Sequence, residues 1–137
     1  MKHLLYSIAL IFTFVFFSCS DSYDRALCQN LSDRIVRDDS LSQKDYADML
    51  DQYESILKYM IDRADDIIAT EDEAERQELN RALRNDEDYL ERFGFMFTFG
   101  STLYQADVRN ELDDANSAAY RSLESYSDEF ARRSEQI

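Results

Sequence analysis

The feature that most limits the fold of this chain is its near lack of turn-forming residues. Its 137 residues include no proline and only two glycines. A β-rich domain of this length needs many tight turns, and most turn types rely on proline or glycine. Long helices with few connections need far fewer of these residues. The composition therefore predicts an all-α protein, large enough for one small domain.

Apolar residues recur at alternating steps of three and four, which is the spacing of one helix face. Ser42 with Asp45 and Thr70 with Glu73 match capping boxes, so helices are predicted to start at both places. A shorter helix precedes them, from about Ser22 to Arg37. The four predicted stripes are Leu27, Cys28, Leu31 and Ile35; Tyr46, Leu50, Tyr53, Leu57, Met60, Ala64 and Ile67; Leu79, Leu83, Asp86, Leu90, Phe93 and Phe97; and Val108, Leu112, Ala115, Ala119, Leu123, Tyr126 and Phe130.

These stripes predict an up-down antiparallel helical bundle of three long helices plus one shorter N-terminal helix. The break between the third and fourth helices falls at Gly100-Ser101 or at Gln105-Ala106-Asp107. Gly100 is preferred, because glycine readily takes the left-handed conformation that ends a helix. Asp86 is the one polar residue in its stripe. An extended coiled coil that dimerises is the alternative fold, and the sequence leaves the oligomeric state open.

The N-terminus has the pattern of a secretion signal. Met1-Lys2-His3 precede an uncharged, mostly apolar run from Leu4 to Phe17. This run is shorter than the ~20 residues of a membrane-spanning helix, and its length suits the apolar region of a signal peptide. Phe16-Phe17-Ser18-Cys19 follows, with a small residue immediately before the cysteine.

This segment resembles the signals of bacterial lipoproteins, in which a lipobox cysteine is acylated and becomes the first mature residue. The likeness rests on Ser18 and Cys19, covers residues 1–24, and departs from the usual box at Phe16 and Phe17. It implies a signal peptide (1–18) and a lipidated tether (19–24), which leave residues 25–137 for the predicted acidic helical bundle domain. It also implies lipid attachment at Cys19, with two or three acyl chains for stable anchoring, and an outer-membrane location.

Two other interpretations of the N-terminus remain: a secreted protein cleaved near Ser20, or a signal anchor that is never removed. If Cys19 carries lipid, Cys28 has no cysteine left to pair with inside the chain. Its helical spacing with Leu31 and Ile35 predicts a small buried residue. An intermolecular disulfide is the alternative.

The ionisable residues argue against most catalysis and predict a non-enzymatic protein without cofactor or metal. His3 is the only histidine and leaves with the predicted signal, which removes histidine-based acid–base chemistry and histidine metal sites. The acidic pairs, such as Asp38-Asp39 and Asp113-Asp114, lack the spaced ligands and glycine of a calcium loop. A glycosidase with two carboxylates is the remaining enzymatic alternative. The net charge of −14 disfavours nucleic acid and suits a basic partner.

The segment from Phe93 to Gly100 is the candidate contact surface. Its four phenylalanines alternate as in a strand, but Phe93 and Phe97 continue a helical stripe, so a helix is predicted. Two residues turn a helix by about 200°, which would place Phe93 and Phe97 inward and Phe95 and Phe99 outward. The outward pair is either covered by the first helix or exposed. The candidate site for a partner or ligand comprises Phe93, Phe95, Met96, Phe97 and Phe99, expected at the end farthest from the anchor.

Three functions follow as hypotheses. The first is a scaffold or binding module that engages an envelope protein partner through this segment. The second is a bundle that holds an apolar ligand or lipid between its helices near Phe93, Met96 and Phe97. The third is an acidic inhibitor or immunity protein that neutralises a basic enzyme, for which the net charge is the only support.

Overall fold

A computed structural model describes residues 22–137, and within this range the chain forms five helices joined by short connections. They are α1 (Arg25–Val36), α2 (Gln43–Ile68), α3 (Glu73–Arg84), α4 (Glu87–Val108) and α5 (Asp114–Ser134). The all-α prediction is confirmed for this range, whereas the predicted number of helices was wrong. The predicted signal and Cys19 lie outside the described residues.

Hydrogen bonds at the helix ends confirm one predicted start and correct another. Ser42 Oγ accepts from the Asp45 amide at 3.1 Å, and Asp45 Oδ2 accepts from the Ser42 amide at 2.8 Å, so this capping box is confirmed. The Thr70 pair was wrong: the Thr70 hydroxyl donates to the Asp66 carbonyl and completes the end of α2. Asp72 caps α3 instead. A short polar side chain can bond either neighbouring backbone, and the sequence pattern does not distinguish the two.

Asp86 divides the helix that the sequence predicted as one long third helix. Its carboxylate accepts from the Tyr89 amide at 2.9 Å and so caps the start of α4. Asn85 forms the C-cap of α3. The single polar residue in that apolar stripe therefore marks a helix boundary.

Both predicted breaks before the last helix were wrong, because α4 continues through Gly100 to Val108. Gly100 has no positive φ, and Asn110 takes the left-handed conformation in the connection that follows, with φ 58°. Gly100 instead allows close helix packing. A Cβ at this position would lie 3.1 Å from the hydroxyl oxygen of Tyr53 on α2.

The core lies around α2, which packs against α1, α4 and α5. The Tyr46 hydroxyl bonds Glu111 just beyond the end of α4, while Tyr59 stacks on Arg92 near the start of α4. Helices α2 and α4 therefore run in opposite directions. The largest fully buried side chains in this core are Phe99, Leu31, Met49, Ile56, Leu57, Met60 and Leu103.

Helix α5 runs in the same direction as α2. At the start, Asn116 Nδ2 donates to the Gln43 carbonyl at 2.9 Å; at the far end, Arg133 pairs with Asp65 at 2.7 Å. The Gln43 side chain also accepts from the Asp113 amide and donates to a backbone carbonyl, so it holds the α4–α5 connection against α2.

The two short helices lie at the edge of this assembly. Helix α1 runs opposite to α2, since Asp24 bonds Gln52 and Arg34 pairs with Asp45 nearer the start of α2. Helix α3 contains no buried residue and contacts α2 and α4. Its Asn80 Nδ2 also donates to the Ile137 carbonyl at 3.3 Å.

Candidate functional site

The phenylalanine-rich segment is helical throughout, as predicted, but its two faces are reversed. Phe95 and Phe99 are 6% and 0% exposed and stack with ring centroids 5.9 Å apart. Phe93 and Phe97 are 43% and 72% exposed. The prediction that Phe93 and Phe97 face inward was therefore wrong. Met96 is half-buried at the margin of the core.

The buried face of α4 could have been recognised had the helix not been assumed to stop at Gly100. Phe95, Phe99, Leu103 and Ala106 are all buried and follow one another at helical steps. Because the helix was predicted to end at Gly100, Leu103 and Ala106 were not included in this pattern. The stripe that ends in Phe93 and Phe97 then had more apolar residues at helical spacing. The face that carries Phe95, Phe99, Leu103 and Ala106 packs on α2, and the other face remains outside.

The exposed face of α4 is a continuous uncharged surface, which we call the α4 stripe. Its members follow helical spacing and are all exposed: Leu90, Phe93, Gly94, Phe97, Ser101, Tyr104 and Val108. At 1.5 Å per residue the stripe is about 27 Å long. A Cβ added at Gly94 would meet nothing within 4 Å, so this part of the surface is open. Contiguous exposed apolar surface of this kind commonly marks an interaction site.

The start of the described chain is tied to the middle of α2 by one buried amide. Gln52 Nε2 donates to the Ser22 carbonyl, and Gln52 Oε1 accepts from the Asp24 amide, both at 2.7 Å. The Cys28 sulfur lies 3.3 Å from the same oxygen. These contacts fix where the segment that leads to the predicted anchor leaves the helical body.

Two further contacts place the entry segment, residues 22–25, beside α4. The Arg92 guanidinium carbon lies 4.0 Å from the ring centroid of Tyr23 and 4.0 Å from that of Tyr59, so it is sandwiched between them. Arg25 Nε donates to Glu91 at 2.6 Å, and this bond lowers the pKa of the Glu91 carboxyl. Burial raises the pKa of Tyr23 to about 12.

The predicted position of the phenylalanines relative to the start of the first helix was therefore wrong. The sequence placed the phenylalanines at the opposite end of the bundle, on the assumption that one long third helix carried them away from that start. Because Asp86 breaks that helix, α4 begins beside the start of α1. Phe93 follows Arg92 directly, and so lies near the point where residues 22–24 enter.

Cys28 is fully buried, as its helical spacing predicted, and its thiol is free. Burial raises the pKa of this thiol to about 12, and the nearby Asp24 carboxylate contributes to the same shift. A thiol in this state has almost no nucleophilic thiolate at neutral pH.

A cleft of about 500 Å³ lies away from the phenylalanines. It is open and mostly polar, and lies among the end of α1, the start of α2 and the end of α4. Phe93, Met96 and Phe97 do not line it. This cleft therefore does not support the hypothesis that an apolar ligand binds beside these three residues. Its lining includes Asp38, Asp39, Gln43, Tyr46, Gln105, Arg109 and Glu111.

Within residues 22–137, no three histidine, cysteine or acidic side chains converge in a way that would hold a metal ion. In the same range, no helix has both the length and the apolar character needed to cross a bilayer. The chain matches no protein-family model, no curated protein and no solved structure.

Proposed function

We propose that this protein is a lipid-anchored envelope protein whose acidic helical body is a non-enzymatic interaction module. The observation that carries the proposal is the α4 stripe, an exposed surface without charge on a body with net charge −14. Water-soluble proteins seldom leave such a strip uncovered unless something binds it. The lipid anchor is supported by the resemblance of Ser18-Cys19 to a lipobox.

The helical body is proposed to close as an up-down bundle. Helices α2, α4 and α5 are its three long members, α1 is the shorter N-terminal member, and α3 is an additional short helix at one end. This arrangement leaves α4 with one face on the core and one face outside. The α4 stripe is then a consequence of the fold, which covers only the face that carries Phe95 and Phe99.

A second surface has the opposite character and suits a basic protein partner. Asp62 is exposed and follows Tyr53 by nine residues, which is two and a half helical turns, so it points away from α4. This outer face of α2 also carries Asp51 and two ion pairs, Lys44–Asp48 at 3.0 Å and Lys58–Glu54 at 2.9 Å, so its net negative charge comes from Asp51 and Asp62. Acidic faces steer basic partners towards them and give binding that weakens with salt.

Two measurements test the proposal. Metabolic labelling with a fatty acid analogue should label the wild-type protein and leave the Cys19→Ala variant unlabelled. In intact cells, a photo-crosslinking amino acid at position 97 should give adducts that the same group at position 78, an exposed site on α3, does not give. An unlabelled wild-type protein would contradict the anchor, and a silent position 97 would contradict the α4 stripe as a contact surface.

A further inference from the structure

We infer that the α4 stripe rests on the lipid bilayer that holds the anchor, with α4 lying along the membrane surface and α2 facing away. The inference rests on the proposed acylation of Cys19 and identifies what the stripe contacts. It reverses the orientation that the sequence suggested, in which the phenylalanines pointed away from the membrane.

The first step is the short reach of the tether. Cys19 precedes Tyr23 by four residues, and a fully extended chain spans about 3.3–3.6 Å per residue, so their Cα atoms lie at most ~14 Å apart. Tyr23 packs on the Arg92 guanidinium, and Phe93 is the next residue of α4. Acyl chains attached at Cys19 therefore bring the bilayer surface close to the first turns of the stripe.

The second step is that the entry point is held in place on the body. Gln52 is 3% exposed and bonds both the Ser22 carbonyl and the Asp24 amide. Arg25 is paired with Glu91 on α4 by two hydrogen bonds, of 2.6 and 2.9 Å. The proposed anchor at Cys19 is thus only three residues away from a fixed point at Ser22. A short tether that enters beside α4 keeps that helix near the membrane.

The third step is the chemistry of the stripe. Helices that lie in a membrane interface bury an apolar face about 5–10 Å deep, and aromatic side chains are favoured at that depth. The stripe offers Phe93, Phe97 and Tyr104 together with Leu90 and Val108. No charged side chain interrupts it, although acidic residues outnumber basic ones, 29 to 15, in the whole chain. A face with this composition gains free energy by leaving water for the bilayer surface.

The net charge indicates which lipids the stripe accepts. Anionic head groups repel a body of charge −14, and the repulsion strengthens as ionic strength falls. A zwitterionic surface such as phosphatidylcholine imposes no such penalty. The proposed contact is therefore apolar and strongest on uncharged lipid.

The chain contains no tryptophan, so a single substitution creates a depth reporter. The full chain carrying Phe97→Trp is produced in cells, purified in its acylated form and reconstituted into phosphatidylcholine vesicles. Asp62→Trp, on the opposite side of the molecule, is the matched control, and Tyr104→Trp is a second reporter on the stripe. Vesicles with brominated acyl chains should quench the two stripe reporters at least about two-fold more than the control, because side chains at the interfacial depth approach the acyl chains.

Each outcome is decisive when the mass of the N-terminal peptide is measured on the same preparation. An unacylated peptide would overturn both the anchor and the membrane contact. If the protein is acylated but Phe97→Trp is quenched no more than Asp62→Trp, the membrane contact alone is overturned. Emission from the Phe97→Trp protein that depends on protein concentration but not on brominated lipid would show that a second copy covers the stripe, and would likewise overturn the membrane contact.

Discussion

The side-chain oxygen of Gln52 accepts a hydrogen bond from the Asp24 amide at 2.7 Å, across the interface between α2 and the start of α1. The same side chain donates to the Ser22 carbonyl, so one buried amide satisfies two backbone groups just before α1. Backbone groups away from water need such partners. The buried Gln52 side chain therefore fixes the direction in which the proposed tether leaves the helical body.

Replacing Gln52 with leucine should release the entry segment. The two backbone groups would lose their partner while the side-chain volume stays similar, which costs about 1–3 kcal/mol of unfolding free energy. Urea unfolding measures the loss, and faster amide exchange at residues 24–28 locates it. Gln29→Leu makes the same chemical change on an exposed site of α1 and should shift stability by less than about 0.5 kcal/mol. Equal losses of unfolding free energy in the two variants would show that Gln52 does not hold the entry segment.

A carboxylate should destabilise the protein strongly at a buried phenylalanine of α4 and only weakly at an exposed one. Phe99→Asp places a carboxylate at a fully buried site and should cost at least about 4 kcal/mol, a large part of the roughly 5–15 kcal/mol by which small domains are stable. Phe97→Asp adds a charge at an exposed site and should change stability by less than about 1 kcal/mol. Circular dichroism during urea titration distinguishes the two variants. A Phe99→Asp protein as stable as the Phe97→Asp protein would show that the faces of α4 are assigned the wrong way round.

The sequence predicted those features of the fold whose residues lie close together in the chain, and it missed features that depend on contacts between distant residues. The capping box at Ser42 and Asp45 was recognised because both bonds lie within four residues of each other. The burial of Cys28 followed from helical spacing alone. The helix break at Asp86 was missed because an aspartate inside an apolar stripe can be a cap or a surface residue. Contacts with the neighbouring helices determine whether such an aspartate caps a helix or lies on its surface.

The segment from Phe93 to Phe99 was correctly predicted to be helical, but its buried and exposed faces were predicted the wrong way round. The helix from Phe93 to Phe99 has apolar residues on both faces, and periodicity cannot say which face a neighbour covers. The deciding contact is the approach of Tyr53 to Gly100, which presses the Phe95–Phe99 face onto α2. Such a close approach depends on residues far apart in the chain. The Gln52 and Arg92 contacts with the entry segment were missed for the same reason.

The two glycines of α4 allow a direct test of that close approach. Alanine at Gly94 meets open space and gains helix propensity, so stability should rise by about 0.5–1 kcal/mol. Alanine at Gly100 gains the same propensity, but its Cβ would lie 3.1 Å from the Tyr53 hydroxyl oxygen. We expect Gly100→Ala to be at least about 1 kcal/mol less stable than Gly94→Ala, because overpacking a core is costly. Thermal melts compare the two, and equal stabilities would show that Tyr53 moves aside without cost.

Acid should weaken the capping box at the start of α2. The hydrogen bonds from Arg34, followed by the Ser42 backbone amide, hold the pKa of Asp45 well below its usual range. A lowered pKa means that this carboxylate contributes full stability above the ordinary aspartate pKa of about 4, and loses it as the pH falls further. Asp45→Asn should therefore be about 1–2 kcal/mol less stable at pH 7, and its difference from wild type should shrink progressively as the pH falls below about 4. Urea unfolding from pH 7 to pH 2 measures the convergence.

Asp51→Asn, which removes the same charge from an exposed position of α2, is the control for overall charge. It has no cap or Arg34 to lose, so its stability at pH 7 should stay within about 0.5 kcal/mol of wild type. A gap between Asp45→Asn and wild type that stays constant with pH would show that the Arg34 contact does not depend on ionisation.

The Cys28 thiol should report global unfolding. It is fully buried, and its pKa of about 12 leaves roughly one thiolate in 10⁴ at pH 8, so a disulfide reagent has almost nothing to attack in the folded protein. In a Cys19→Ala background, where Cys28 is the only cysteine, the reaction rate should rise with urea in parallel with loss of helix. The control is Asn30→Cys combined with Cys28→Ala, which puts a thiol on the exposed side of α1 and should react at once. Rapid labelling of Cys28 without denaturant would mean that α1 detaches from α2 while the rest of the body stays folded. The tether direction that places the α4 stripe at the membrane would then be lost.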